Sequence, residues 1–190
     1  MIRLKTELGL ARAVVALGML VTAAPQGLPA APEAVPEYRV KLVYLYNFAR
    51  FATWPARAFD SPEAPFDIGV LDLAPFENAL PVIEGKRAGG RPVRVRLCRT
   101  IGEMKQCHLL FVNRGDDLYV KALLTALQDA PVLTISEHPA FTRWGGAMRF
   151  FHEKQRIRFA VNRHAAHRAG IRLSAQLLQV AEIEDREVVK

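Results

Sequence analysis

Cysteine is scarce in this chain: Cys98 and Cys107 are the only two among 190 residues. No Cys-x-x-Cys spacing exists, which argues against a redox-catalytic pair. Histidine is nearly as rare, with five in all. His164 and His167 stand three apart at a predicted helix start, alongside His152 and Glu153. A metal wants three or four converging ligands, and no second pair matches them, so neither a metal nor a cofactor is expected. Glycines are not grouped as a phosphate loop needs. Gly145-Gly146 leads into a predicted strand, whereas a phosphate cradle opens a helix N-terminus; positive φ at a tight turn is the expected role. Phe141 and Trp144 beside them read as packing, with a ligand groove as the alternative. Paired carboxylates are missing too: Asp60, Asp67 and Asp72 form no acid–base or metal signature. Ser136-Glu137-His138 is the nearest approach to a nucleophile set, but neighbours in a strand point to opposite faces and cannot make a triad alone. The expectation is a protein that is not an enzyme.

Long apolar runs are confined to the front. Arg3, Lys5 and Arg12 give a positive start, and Ala13 to Ala24 is a run of apolar and small residues. That is the layout of a secretory signal peptide over residues 1–24, with Thr22-Ala-Ala24 as a cleavage site. The run is short for a membrane span, which needs about 20 apolar residues. An uncleaved anchor and an ordinary first helix are the alternatives. Pro25, Pro29, Pro32 and Pro36 among Ala and Gly make residues 25–36 a linker. One α/β domain is expected over residues 37–185, a length that supports a real core. No internal repeat interrupts it.

The formal net charge is +7 and the pI about 9.8. Removing residues 1–24 takes away three cations and one anion and leaves about +5. Such a balance suggests nucleic acid, but an export signal argues against it, and the arginines are spread along the chain. An acidic protein surface or an anionic membrane surface fits better, and no nucleic-acid partner is expected.

Aromatic residues are 8% of the chain, yet six fall in the block Tyr38 to Trp54, which Pro55 stops. Read at helical spacing, Val40, Val43, Tyr44, Phe48, Phe51 and Ala52 make one face, with Tyr46, Asn47, Arg50 and Trp54 toward its border. Such a helix cannot stand alone in water. It is expected to dock on the core, and its border residues to meet a partner.

Downstream, Phe66–Leu71, Arg91–Leu97, Leu109–Val112 and Pro131–Ser136 read as strands. Helical stretches run from Pro75 through Ile83 and from the cap at Asp116 or Asp117 through Gln128, with a brief turn at Glu103–Gln106. Alternation of this kind implies an α/β fold with a mostly parallel sheet flanked by helices on both faces. Ala147–His152 and Arg156–Val161 flank a short connection, an antiparallel hairpin added near the C-terminus. A final helix is expected from His164 to about Ile183, with Leu173, Leu177, Leu178 and Ala181 as its apolar stripe.

Six motifs occur in register: the aromatic block, Cys107-His-Leu-Leu-Phe-Val112, Leu133-Thr-Ile135, Phe141-Thr-Arg-Trp-Gly-Gly146, Arg158-Phe-Ala-Val-Asn162, and the run from Ala169 to Leu178. Together they resemble the YfiR-like family of exported bacterial proteins, over about residues 38–183. The resemblance implies a periplasmic repressor that binds the periplasmic region of an inner-membrane diguanylate cyclase. It also implies an outer-membrane lipoprotein that sequesters the repressor. The chain departs from the pattern at Ser174-Ala175, commonly a Ser-Ser pair, and at Trp144, commonly aliphatic; both bear on a contact surface. A small-molecule-binding protein feeding a transporter or sensor kinase is the second reading, its clue a groove between the first helix and the Trp144 region. A homodimer is expected from the prevalence of symmetric pairs.

The residue types that dominate interface energy are Trp, Tyr and Arg, so Tyr46, Arg50 and Trp54 are the first candidate partner-binding set. Arg163, His167, Arg168 and Arg172, with His164, form a second, a basic face for an acidic partner surface. Cys98 and Cys107 form an even pair in an oxidising compartment and are expected to make a disulfide. Closing that loop would stabilise by roughly 2–3 kcal/mol. Two buried thiols that never meet are the alternative.

Overall fold

The computed structural model describes residues 37–185; the expected signal peptide and the linker lie outside them. Helix α1 spans Glu37–Phe51 and buries Lys41, Leu42, Leu45, Phe48 and Ala49. Those positions recur every three or four residues, the stripe an amphipathic helix needs. The expected face is therefore rotated. Phe48 is in it, but Val43 is 37% exposed. Apolar residues occur on every side of this helix, so spacing alone could not choose. The aromatic layer beneath chooses: Phe48 meets Phe159 edge-on at 4.9 Å and stacks on Phe150 at 5.9 Å.

The elements then follow in order: β1 Ala52–Thr53, β2 Phe66–Val70, β3 Arg87–Ala88, β4 Arg91–Leu97, α2 Ile101–Lys105, β5 Leu109–Val112, α3 Asp117–Leu127, β6 Leu133–Ser136, β7 Met148–Glu153, β8 Arg156–Val161, α4 Arg163–Arg168, β9 Arg172–Leu173, α5 Ala175–Gln179 and β10 Glu182–Ile183. Local chemistry sets several boundaries. Thr100 and Glu103 form a capping box at α2, Asp116 caps α3, and Asn162 caps α4. Two expectations fail. The helix from Pro75 to Ile83 is two 3₁₀ turns, Ala74–Phe76 and Leu80–Val82; Pro81 has no N–H to continue a helix. The final helix is broken into α4, β9, α5 and β10, because Gly170 turns the chain at φ +74° and Ser174 caps a fresh start.

The main sheet runs β10-β8-β7-β6-β5-β2-β4-β3, while β1 and β9 pair separately. Neighbours from β4 through β2, β5 and β6 to β7 are parallel, and β7–β8 is the antiparallel hairpin. The chain is thus α/β with a mostly parallel sheet and the expected hairpin. β5 shows how the core divides. Leu109 and Phe111 join the hydrophobic cluster that holds α1, whereas Leu110 and Val112 join the one that holds Met104 of α2 and Leu123 of α3. Successive side chains of a strand point to opposite faces, so one run of four apolar residues feeds both clusters.

Candidate partner-binding surface

Helix α1 presents an outer ridge of Arg39, Val43, Tyr46 and Arg50, spaced four, three and four apart. Tyr46 is held in place. Its hydroxyl donates to the carbonyl of Arg87 at 3.2 Å. The Arg50 guanidinium lies 5.6 Å from its ring centroid and the Lys86 ammonium 5.2 Å, both within cation–π range. Arg39, Arg50 and Lys86 make no ion pair among the described residues. The result is an aromatic ring flanked by two cations with no carboxylate to neutralise them. Lys86 and Arg87 were missed in the sequence; the only signal was two adjacent cations beside Gly85.

Trp54 is placed elsewhere. It is 8% exposed, its indole N–H donates to the carbonyl of His108 at 2.8 Å, and its ring meets Phe66 edge-on at 4.7 Å. His108 accepts the N–H of Asp67 at Nδ1 and donates from Nε2 to the carbonyl of Ala58 at 2.9 Å. Burial holds its imidazole below the ordinary value, in the neutral form this pattern requires. Trp54 therefore has little surface to offer a partner.

The second candidate set divides as well. His164, His167, Arg168 and Arg172 are exposed. Arg163 is engaged: its backbone N–H and its guanidinium both bind Asp185, and this hydrogen bonding holds the Asp185 carboxyl below its usual range. Pairing of β1 with β9 sets Arg172 across from Thr53, three residues beyond Arg50. The fold therefore brings Arg172 up to the end of α1.

Behind the ridge, Lys41 is buried between Glu37 and Glu137. Burial alone would lower its pKa, but hydrogen bonds to Glu137 and then Glu37 outweigh that and raise it. The ammonium stays charged and fixes the first turn of α1 to the loop after β6.

Cys98 and Cys107 are free thiols in the structure, with their sulfurs 3.2 Å apart. The fold brings the expected pair together. The hydrogen bond to Cys98 and burial push the Cys107 thiol up, while the bond from Cys107 lowers that of Cys98.

Among the described residues no helix is long and apolar enough to cross a membrane. A family model described as YfiR/HmsC-like matches residues 38–182, most of the described domain. No curated protein matches the chain.

Proposed function

We propose, from the premise that the chain belongs to the YfiR/HmsC-like family, that it is a regulator of cyclic diguanylate signalling and acts without catalysis. It works in the periplasm after export, by binding the periplasmic region of an inner-membrane diguanylate cyclase and favouring the cyclase's inactive arrangement. Sequestration by an outer-membrane lipoprotein removes that bias. In energetic terms this is a population shift: the repressor changes the equilibrium only by as much as its affinity differs between the two cyclase states.

One observation supports this reading above the others. The ridge of α1 carries an anchored tyrosine between two unpaired cations, the composition of an interface hot spot. Basic residues at its end, Arg172 above all, extend the same charge. An acidic surface on the partner is the natural complement. The small-molecule alternative loses its clue, because Trp144 packs on the α3 cluster while α1 belongs to the other.

The test is cellular. Deleting the gene raises cyclic diguanylate, wild type restores the low level, and Arg50→Ala restores it poorly at equal protein abundance. Full restoration by Arg50→Ala removes the ridge from the interface. An unchanged nucleotide level on deletion removes the reading altogether.

A further inference from the structure

The order β4-β2-β5-β6-β7 carries a topological consequence. From β2 the chain leaves to one side, to β4; from β5 it leaves to the other, to β6. The loops at the carboxyl ends of these adjacent strands therefore diverge and open a crevice, the place where open α/β sheets hold ligands. A cavity of about 830 Å³ lies there, walled by Leu71–Ala74 after β2, Leu97–Arg99 at the end of β4, and Arg114–Asp116 with Tyr119 after β5.

The crevice is held rigidly. Asn113, at the end of β5, accepts the backbone N–H groups of Leu71 and Asp72 at 3.1 and 3.0 Å and donates to the Asp72 carbonyl at 2.7 Å. One side chain thus pins the β2 loop to the β5 loop. Three carboxylates line the walls: Glu77 is exposed, and Asp72 and Asp116 are each engaged by a backbone N–H. Asp72 accepts the N–H of Ala74, and Asp116 caps α3 through the N–H of Tyr119. Arg99 and Arg114, from opposite walls, are exposed and make no ion pair among the described residues. Tyr119, in the same lining, offers a ring, 42% exposed. It lies over Gly115, where φ is +114° and a Cβ would come within 2.5 Å of the ring.

We propose that this crevice binds a small anion carrying a ring, its carboxylate or phosphate between Arg99 and Arg114 and its ring against Tyr119. Guanidinium forks match both head groups. The site lies at the strand ends, apart from the α1 ridge, and does not rest on the cyclase reading.

The test is an amide NMR titration of the purified protein with phenyl phosphate and with benzoate, against inorganic phosphate and benzylamine. At least one ring-bearing anion should give saturable shifts at Leu73, Arg99 and Gly115. The tighter of the two identifies the head group. Combining Arg99→Gln with Arg114→Gln should weaken binding about tenfold or more with an unchanged melting midpoint, and Tyr119→Ala should weaken it less. No saturable shift with either anion overturns the proposal. So does equal binding of benzylamine, inorganic phosphate binding as tightly as phenyl phosphate, or full affinity in the double arginine variant.

Discussion

The indole N–H of Trp54 donates to the carbonyl of His108 at 2.8 Å, and that same carbonyl accepts the N–H of Leu133 at 2.9 Å. Trp54 thereby joins the end of α1 to the point where β5 and β6 begin. Trp54→Phe keeps most of the ring and leaves the carbonyl one partner, so it should cost about 0.5–1.5 kcal/mol. Trp54→Ala also opens a cavity and should cost about 3–5 kcal/mol. Urea denaturation separates the two. Signalling lost in Trp54→Ala then reflects unfolding; equal stability of wild type and Trp54→Ala would mean that the ring is not part of the core.

The two thiols make a second prediction. Mild oxidation should convert Cys98 and Cys107 to a disulfide with little rearrangement, visible as protection from alkylation that reductant reverses. The closed loop should add roughly 2–3 kcal/mol on the chain-entropy model. Two fully titratable thiols after oxidation would contradict it. Gly69→Ala tests the same packing, because its Cβ would stand 2.6 Å from the Cys107 sulfur and 2.9 Å from that of Cys98. Overpacking of this kind costs about 1–3 kcal/mol.

The C-terminal strap should be acid-sensitive. Glu184 accepts from Arg149 and from the hydroxyl of Thr142 at 2.6 Å. The Arg149 bond, opposed by burial, holds its carboxyl below the ordinary 4.5. A depressed folded pKa means stability that is fully present above the unfolded value and is lost as pH falls through the folded one. The melting midpoint should therefore drop below about pH 4.5, and Glu184→Gln should flatten that part of the slope while lowering the midpoint at neutral pH. An identical acid slope in both proteins would exclude the pair as its source.

The β7–β8 hairpin turns through Lys154 and Gln155, both at positive φ, 46° and 62°. Two-residue turns of this hand favour Asn-Gly, and a non-glycine residue held there costs of order 1 kcal/mol. Lys154→Asn with Gln155→Gly should raise the melting midpoint. A lower midpoint would mean that the native pair makes compensating contacts.

Strands were the most legible part of the sequence. Leu109–Val112 is an unbroken apolar run of strand length, and Leu133–Ser136 is a short run with β-branched Thr134 and Ile135; both are buried throughout. The hairpin was legible for a similar reason, two strand-like runs with a short polar connection. The C-terminal helix was not, since Leu173, Leu177 and Leu178 keep helical spacing across a break that only Gly170 and Ser174 impose. The face of α1 was misread because apolar residues surround it, and tertiary packing made the choice. In the candidate site, Tyr46 and Arg50 were recognisable by type and position. Lys86 and Arg87 were not, because they come from the start of β3 some forty residues away and spacing carries no information about such encounters. Trp54 looked like an anchor because of its type; its indole bond to a distant backbone carbonyl made it a core residue.

The most direct measurement is equilibrium binding of the purified protein to the periplasmic region of the membrane diguanylate cyclase from the same cell, by calorimetry, for wild type, Tyr46→Ala and Arg50→Ala. Saturable binding that weakens as salt rises is expected, with the affinity falling about tenfold, or 1.4 kcal/mol, in each variant. Absence of binding by wild type, or wild-type affinity in both variants, would contradict it.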